Sequence, residues 1–301
     1  MKTKTIVVLG SSNTDMVIKS PKLPLPGETI IGGAFFMNQG GKGANQAVAA
    51  ARMGADVQFI SKIGTDIFGK QSIKGYKDEG INVDKIFIDE SAPSGIALIS
   101  VDGVGENSIL VAPGANSNLL PADLDKVIEE IKQAGILLMQ LEIPMASIEY
   151  AAEAAFNNNV KVILNPAPAC KLSRKLIDCL FLIVLNESEA EYVSGVSVSG
   201  EATAIEAATK ISDMGVKNII VTLGSDGVIA MIDREVFKVP AIKVNAIDTT
   251  AAGDTFCGVL SVGIMEGMPV IEAIKLANKA AALSVTRMGA QKSIPYRNEF
   301  E

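Results

Sequence analysis

Short apolar segments alternate with helical segments through most of the chain after residue 56, and this alternation constrains the fold more than any other feature. Strands are predicted at 57–62, 135–141, 160–164, 181–185, 218–223, 227–232 and 236–240. Helices are predicted at 68–79, 121–133, 144–157 and 201–214, and another helix is predicted to begin at Asn186. Such alternation predicts an α/β fold in which a largely parallel sheet is covered by helices on both faces.

Polar positions follow several of the predicted strands. A first strand is predicted at residues 5–10, and the polar residues 11–15 follow it as a turn. Because βαβ crossovers are right-handed, the loops after parallel strands should share one edge of the sheet, where open α/β sheets bind ligands. The positions on this edge are Asn13, Asp15, Glu142, Asn186, the segment 223–227 and Asp248. Polar turns and helix caps are also common structural features, so position alone leaves the function of these residues open.

Two stretches depart from the βα pattern. Residues 16–38 contain three prolines and then mostly apolar alternation at 29–36, which predicts irregular strands outside the central sheet. Residues 94–100 and 107–111 form a second strand pair around the glycine-containing segment 102–106, which is typical of a hairpin. The pattern fits either a solvated β-appendage or a cover over a ligand site.

Composition and charge exclude several classes of function. The 301 residues carry a net charge of −7, which argues against nucleic-acid binding, because that function needs a basic face. The chain has no histidine, so catalytic triads, histidine bases and histidine-ligated zinc are excluded. Three cysteines without metal-binding spacing indicate reduced thiols in a cytoplasmic protein. We expect neither a signal peptide nor a membrane span.

The segment 245–258 contains a run of small side chains, then Asp254 and an apolar helix. The N-terminus of a helix has unpaired N–H groups and a positive dipole end, and small residues let an anion approach them closely. Asp254 therefore has two interpretations. As an N-cap, its carboxylate would fill the anion position, whereas directed outward it would be a base facing a bound phosphate.

A second glycine-rich segment, Gly40-Gly41-Lys42-Gly43, precedes an alanine-rich helix predicted at 44–53. It is not a P-loop, because neither the glycine spacing nor the residue after Lys42 fits that motif. Glycine lets the backbone approach a ligand closely, and Lys42 and Asn45 lie in the first helical turn, within reach of ligand hydroxyls.

Both glycine-rich segments resemble motifs of the ribokinase family of carbohydrate and nucleoside kinases. Residues 248–256 are similar to the family's C-terminal signature, Asp-Thr-x-Ala-Ala-Gly-Asp-Thr-Phe, and residues 40–47 to its other motif. The resemblance runs from Val8 to about Pro295 and is supported by the segments 10–15, 24–29, 138–142, 165–169 and 286–291. Two signatures in the family's order make the resemblance specific.

The resemblance implies a three-layer α/β/α fold with a mostly parallel central sheet and a small β-sheet lid. Residues 1–301 would form a single domain, with the lid built from insertions at about 14–40 and 93–112. The lid would cover the sugar and would pair with another lid in a homodimer. The implied reaction is ATP-dependent phosphorylation of the 5-hydroxyl of D-ribose, which gives D-ribose 5-phosphate and ADP. Magnesium and an activating potassium ion are the implied metals.

Roles for individual residues also follow from the resemblance. Asp254 would be the general base, and the backbone N–H groups of Ala251, Ala252, Gly253 and Asp254 would form an anion hole. The residues implied to bind the sugar are Asn13, Asp15, Gly41, Lys42, Asn45, Glu142 and Asp254. Those implied for the nucleotide, its phosphates and Mg²⁺ are Asn186, Glu189, Thr222, Gly224, Ser225, Gly227, Gly253 and Asn278. The monovalent cation would lie against Asp248, Thr250, Ser284, Arg287, Gly289 and Ser293, mostly through carbonyl oxygens, and a competing role for Asp248 is loop capping.

Other functions remain open at this point. A kinase for 2-deoxyribose, fructose or a nucleoside is one alternative, because Asp15 can pair with the hydroxyls of other furanoses. A non-catalytic sugar or nucleotide sensor on the same fold is another, although Asp254 and Gly253 are both present and a sensor needs no base. A dehydrogenase is set aside, because no GxGxxG fingerprint follows the first strand.

Overall fold

The computed structural model describes residues 5–103 and 105–300; residues 1–4 and 301, and Val104 in the predicted hairpin, lie outside the described part. The strands are β1 (Ile6–Leu9), β2 (Asn13–Lys19), β3 (Ala34–Gly40), β4 (Val57–Gly64), β5 (Ile86–Asp89), β6 (Gly95–Val101), β7 (Asn107–Ala112), β8 (Ile136–Met139), β9 (Lys161–Leu164), β10 (Leu182–Leu185), β11 (Asn218–Thr222), β12 (Val228–Ile232) and β13 (Glu235–Val239). The helices are α1 (Lys42–Arg52), α2 (Ile67–Asp78), α3 (Pro121–Leu124), α4 (Ile128–Gln133), α5 (Met145–Phe156), α6 (Arg174–Cys179), α7 (Glu187–Ser194), α8 (Glu201–Asp213), α9 (Ala252–Met265), α10 (Val270–Ser284) and α11 (Ala290–Ser293).

The main sheet has nine strands in the order β13-β12-β11-β10-β9-β8-β1-β4-β5. The strands from β11 to β5 pair in parallel, and β12 and β13 pair antiparallel at one edge. Parallel strands are buried on both faces, which is why their sequences are nearly continuous apolar runs. The predicted parallel α/β sheet is confirmed.

Each face of this sheet carries its own apolar core. In β1, the side chains of Ile6 and Val8 pack in the core formed with α1, α9 and α10. The intervening Val7 and Leu9 pack in the core formed with α5, α6 and α8. Because successive side chains of a strand point to opposite faces, this division gives the predicted three-layer α/β/α arrangement.

A second, four-stranded sheet has the order β3-β2-β6-β7. Alternation along its strands gives it two faces. Its inner face lines a cavity with Asp15, Val17, Phe36, Ile99 and Ile109. Its outer face presents apolar side chains that are 45–69% exposed, namely Ile18, Phe35, Met37, Leu98 and Leu110. The lid position of this small sheet is therefore established.

Three local predictions were wrong. Residues 11–15 do not form a turn throughout, because Asn13 already begins strand β2 and pairs with Gly40 and Gly95. The helix predicted at 121–133 is divided into α3 and α4 by a 3₁₀ turn at Asp125–Val127. The strand predicted at 29–36 starts only at Ala34 and continues to Gly40, since the glycines at 32 and 33 adopt positive φ. Strand β5, which was not predicted, pairs with β4 at the sheet edge.

No helix in the described ranges is long and apolar enough to cross a membrane.

Candidate active site

The N-terminal turn of α9 settles the orientation of Asp254. Helix α9 begins at Ala252, and the N-cap residue Ala251 adopts a left-handed conformation with φ of 60°. No side chain caps this helix. Instead, the Asp254 carboxylate accepts hydrogen bonds from Asn45 Nδ2 at 2.9 Å and from Gln46 Nε2 at 3.0 Å. Asp254 is thus directed toward α1 and leaves the anion position at the helix end open.

Most backbone N–H groups of this turn are available to a ligand. Within the described residues, those of Ala251, Gly253 and Asp254 donate to no protein acceptor. The N–H of Ala252 donates to the Thr249 carbonyl at 3.2 Å. Unpaired N–H groups at a helix N-terminus attract anions, and three of the four predicted anion-hole donors are unpaired within the described residues.

A cavity of about 190 Å³ opens at this turn. Lys42, Asn186, Glu189 and Thr222 line it together with residues 251–254. Although burial lowers the pKa of Lys42, the nearby carboxylates of Asp254, Glu142 and Glu189 outweigh it, and the net shift of this pKa is upward. Lys42 is therefore a cation at neutral pH, which suits it to hold phosphate and not to transfer a proton.

Asn186 and Glu189 form a capping box at the start of α7. The Glu189 N–H donates to Asn186 Oδ1 at 2.8 Å, and the Asn186 N–H donates to Glu189 Oε2 at 3.0 Å. The structural interpretation is therefore correct for this pair. Burial raises the pKa of Glu189, and this residue also lines the first cavity.

A second cavity, of about 370 Å³, lies under the inner face of the lid sheet. It is lined by lid residues and by the segments 246–250 and 288–290, and Thr249 lines both cavities. Asp15 lies in this second cavity and is 9% exposed. Burial first, and then the charges of Glu142 and Asp254, raise the pKa of Asp15 to about 7, although Lys42 opposes the shift.

Asn13, Gly41 and Asn45 were also predicted to bind the sugar, but the described residues that line the second cavity do not include them. Asn13 Oδ1 accepts a hydrogen bond from Asn116 Nδ2 at 2.8 Å, so the amide nitrogen of Asn13 is the part left to donate to a ligand. Asn45 is buried, and its Oδ1 has no partner within the described residues. Gly41 has φ of +89°, and a Cβ there would lie 2.7 Å from the backbone nitrogen of Asn13, so only glycine fits.

The Glu142 carboxylate is hydrogen-bonded to other groups of the protein. Its Oε2 accepts hydrogen bonds from Ser11 Oγ at 2.5 Å and from the Lys42 N–H at 3.0 Å. The second bond satisfies one of the unpaired N–H groups at the start of α1. Glu142 therefore fixes the glycine-rich turn against the sheet edge, in addition to lying beside Asp15 and Lys42.

The predicted nucleotide loop forms the turn between β11 and β12. Thr222 lines the first cavity, whereas Gly224 and Ser225 are exposed in a 3₁₀ turn. Gly227 has φ of +98°, and a Cβ there would lie 2.3 Å from the Val239 carbonyl oxygen. Asn278 on α10 donates from its side-chain amide to the Pro240 carbonyl at 2.8 Å. That bond ties α10 to the end of β13.

Among the predicted cation positions, Asp248 contacts Thr250 and Gly289. Its carboxylate accepts hydrogen bonds from the Thr250 hydroxyl at 2.6 Å and from the N–H of Gly289 and of Thr250, both at 2.9 Å. Although burial raises the pKa of Asp248, these bonds outweigh it, and the net shift of this pKa is downward. The loop-capping role of Asp248 is thus present. Ser284 and Ser293 are fully buried and bond to backbone carbonyls, and Arg287 pairs with Glu299 at 2.6 Å. Across the described ranges, no three acidic, cysteine or histidine side chains group as metal ligands.

Gln46, Asn116 and Asn165 are among the side chains at the site that were not identified from the sequence. Gln46 bonds to Asp254, Asn116 bonds to Asn13, and Asn165 Nδ2 bonds to Glu189 Oε2 at 3.3 Å. Gln46 and Asn116 contact identified residues from the protein side, whereas Asn165 also lines the first cavity. Asn165 follows β9 on the same sheet edge as Asn186 follows β10, and that signal was available in the sequence.

Comparison with known proteins gives a consistent result. The model of the pfkB family carbohydrate kinases matches residues 3–297. A ribokinase of Haemophilus influenzae is 46% identical, over 98% of this chain and 97% of its own length, and a deoxyribokinase of Salmonella typhimurium is 37% identical over 98% and 97%. A solved structure of Arabidopsis thaliana ribokinase complexed with ribose and ATP superposes with a TM-score of 0.93 at 32% identity, covering 100% of this chain and 98% of that one. The chain therefore belongs to the pfkB family of carbohydrate kinases.

Proposed function

We propose that this carbohydrate kinase transfers the γ-phosphoryl group of ATP to the 5-hydroxyl of D-ribose, yielding D-ribose 5-phosphate and ADP. The observation that carries the proposal is the uncapped N-terminus of α9, where Asp254 stands beside three unpaired backbone N–H groups. The Haemophilus influenzae relative is a ribokinase, and the Arabidopsis thaliana structure contains ribose and ATP, which supports this choice of substrates.

Asp254 is proposed as the general base. Its carboxylate lies in the cavity at the helix end and is 7% exposed, so a hydroxyl that reaches it is shielded from water. The sugar hydroxyl donates its proton to Asp254 as its oxygen attacks the γ-phosphorus, and ADP leaves on the opposite side. Phosphoryl transfer requires mainly alignment and charge stabilisation, which the surrounding groups supply.

The charge on the transferred group is proposed to rest on the free N–H groups of Ala251, Gly253 and Asp254 and on the Lys42 ammonium. Such preorganised donors act strongly in a site from which water is excluded. Asn186 and Glu189 fit a hydrated Mg²⁺, because Glu189 Oε1 accepts a single protein hydrogen bond, from Asn186 Nδ2, and can accept more from metal-bound water. Mg²⁺, when bound, neutralises phosphate charge.

The second cavity is the proposed sugar site. Asp15 accepts hydrogen bonds from adjacent sugar hydroxyls, Asn13 donates through its free Nδ2, and Asn45 Oδ1 accepts another hydroxyl. This set of one carboxylate and two amides suits a polyol, because each group offers a directional bond. The same set suits 2-deoxyribose less well, since that sugar lacks one of the hydroxyls.

Sugar binding is expected to weaken as the pH falls through about 7. The folded carboxyl of Asp15 has a raised pKa of about 7, so it is protonated below this pH and loses acceptor capacity. We expect kcat/KM for ribose to be about tenfold lower at about pH 6 than at about pH 8, because kcat/KM reports groups of the free enzyme. The Asp15→Asn variant should bind ribose weakly at both values, and a full pH dependence retained in this variant would contradict the assignment.

The segment around Asp248 is the proposed site of a potassium ion. Carbonyl oxygens of this loop and one carboxylate are the hard oxygen donors that alkali cations accept. The Asp248 side chain is already held by Thr250 and Gly289, so it would fix the loop whose carbonyls bind the cation.

The outer face of the lid sheet is proposed to form a homodimer interface. Leu98 and Leu110 lie directly opposite each other in the register of β6 and β7 and are 47% and 69% exposed. With Ile18, Phe35 and Met37 they form an apolar patch of a kind that marks an interaction surface.

We also propose that residues 1–301 form a single domain and that the protein is cytoplasmic.

The double substitution Leu98→Asp with Leu110→Asp is expected to convert the dimer into a monomer, since charges would be buried at the interface. Size-exclusion chromatography with light scattering gives the mass directly. The control is Tyr192→Asp. Tyr192 lies on α7, away from the lid sheet, and is 59% exposed, so its substitution should leave the dimer intact. A monomeric wild-type protein would refute the lid interface.

The function is tested by measuring ADP formation with Mg-ATP and D-ribose, 2-deoxyribose, fructose or adenosine, with and without K⁺. We expect the highest kcat/KM on ribose and a rise in rate with K⁺. Preference for another alcohol would retain the kinase and replace its substrate. Sugar binding without turnover on any of them would indicate the sensor.

A further inference from the structure

Three buried side-chain amides lie behind Asp254 and connect it to Glu189. Gln140 and Gln46 are fully buried, and Asn165 is 9% exposed. Gln140 Nε2 donates to Gln46 Oε1 at 2.6 Å, and Gln46 Nε2 donates both to Asp254 Oδ1 at 3.0 Å and to Asn165 Oδ1 at 3.2 Å. Asn165 Nδ2 then donates to Glu189 Oε2 at 3.3 Å.

The direction of these hydrogen bonds follows from a backbone group. Asn165 Nδ2 also faces the carbonyl of Val184 at 3.1 Å, and a carbonyl only accepts, so this atom must be the nitrogen. Asn165 therefore presents its oxygen to Gln46, and Gln46 must present its nitrogen. The same Gln46 nitrogen faces Asp254. The donors thus point toward the oxygens of both carboxylates.

Close packing of two helices fixes the position of Gln46. Asp254 and Gly258 are one turn apart on α9, on the face that meets α1. A Cβ at Gly258 would lie 2.6 Å from the backbone oxygen of Gln46 and 2.5 Å from Ala49 Cβ, so only glycine permits this approach. This close approach brings the Gln46 side chain to Asp254. Gln140 donates a hydrogen bond to the Gln46 amide oxygen.

We propose that Gln46 is a positioning residue that aligns the base Asp254. Through Asn165, it also couples the orientation of Asp254 to that of Glu189, which lines the cavity at the N-terminus of α9. The inference rests on the proposed function of Asp254. A buried glutamine that served packing alone would need no link to two carboxylates, because an apolar side chain fills a buried position without the cost of burying an amide. Because of this coupling, Asp254 is oriented correctly only when Asn165 and Glu189 are also in place.

Two substitutions at Gln46 test the proposal. Gln46→Met keeps the side-chain length but removes both donated bonds and the bond accepted from Gln140. We expect kcat to fall about 10- to 100-fold while KM for ribose and for ATP change less than about threefold. The matched control is Gln58→Met, because Gln58 is similarly buried and its amide donates to the Asn82 carbonyl and not to a residue of the site. Equal losses in both variants, or an unchanged kcat in Gln46→Met, would overturn the proposal.

Gln46→Glu gives a second readout that a packing role would not produce. Burial and the neighbouring Asp254 and Glu189 charges favour the protonated form of the introduced carboxyl, which donates one hydrogen bond in place of the amide, although Lys42 opposes this. As the pH rises, the introduced carboxyl ionises and repels Asp254. We expect the rate relative to wild type to fall as the pH increases, and a ratio that is constant with pH would contradict the proposal. This variant keeps the shape of the side chain and carries the test if Gln46→Met does not fold.

The same series separates this inference from the function it rests on. A wild-type protein active on ribose, an inactive Asp254→Asn variant and a fully active Gln46→Met variant would refute only the role of Gln46. Full activity in Asp254→Asn, or no activity of the wild type on any sugar, would refute both.

Discussion

Replacement of Asp254 by asparagine is expected to lower kcat for ribose phosphorylation by about 10³-fold, within the range that a positioned general base contributes. The variant retains nearly the same shape but has no carboxylate to take the proton of the sugar hydroxyl. KM for ribose should change little, because Asp15, Asn13 and Asn45 supply the remaining sugar contacts. Rapid-quench measurement of ADP formation under saturating substrates determines kcat directly.

The fold of this variant needs a separate check, because Asn45 and Gln46 both donate to the Asp254 carboxylate and one of them would lose its acceptor. Circular dichroism and calorimetric binding of ribose supply the check. A variant that is folded, binds ribose and still turns over at a rate near wild type would exclude Asp254 as the base.

Gly253→Ala is the substitution with the second-largest expected effect. Gly253 lines the cavity at the N-terminus of α9, and a Cβ at this position would meet no described protein atom within 4 Å. The fold therefore does not require glycine here, and alanine should leave the thermal stability unchanged or slightly raised, since alanine is a better helix former. We expect kcat to fall about 10²-fold, because a methyl group at the anion hole hinders the transferred phosphoryl group.

The two measurements on Gly253→Ala distinguish its roles. Loss of activity with an unchanged melting temperature indicates a functional glycine. A fall in both would indicate an undetected structural role. Unchanged turnover would show that the phosphoryl group lies elsewhere and would refute the proposed anion hole.

Much of the main fold was predictable because parallel strands carry their own signal. Segments such as 181–185 are buried on both faces, so the apolar run itself identifies the strand. The lid strand β2 was missed in part, because Asn13 and Asp15 place polar groups on the inner face of the sheet and a polar run resembles a turn. The break at Asp125–Val127 inside a continuous helical pattern depends on the packing of the neighbouring α3 and α4 against α5, which periodicity does not describe.

The site was predictable where a residue faces the ligand and not where it supports another residue. Asp254, Lys42 and Glu189 come together at one cavity as expected from their motifs. Asn116 and Gln46 were not anticipated, because their partners are 103 and 208 residues away in sequence. Pairings over such distances are created by the tertiary packing of the strands and helices, which local sequence patterns do not describe. The same limit left Glu142 with an incomplete interpretation, since its bond to the Lys42 N–H depends on where the start of α1 meets the loop after β8.

The central claim is that this site moves a phosphoryl group onto the 5-hydroxyl of ribose with Asp254 as the base. The most direct test is to incubate wild type and Asp254→Asn with Mg-ATP, K⁺ and D-ribose and to identify the product by ³¹P–¹H correlation NMR. We expect a phosphate coupled to the protons on C5 for the wild-type protein and almost no product for the Asp254→Asn variant. A phosphate on C1, or equal product from both proteins, would contradict it.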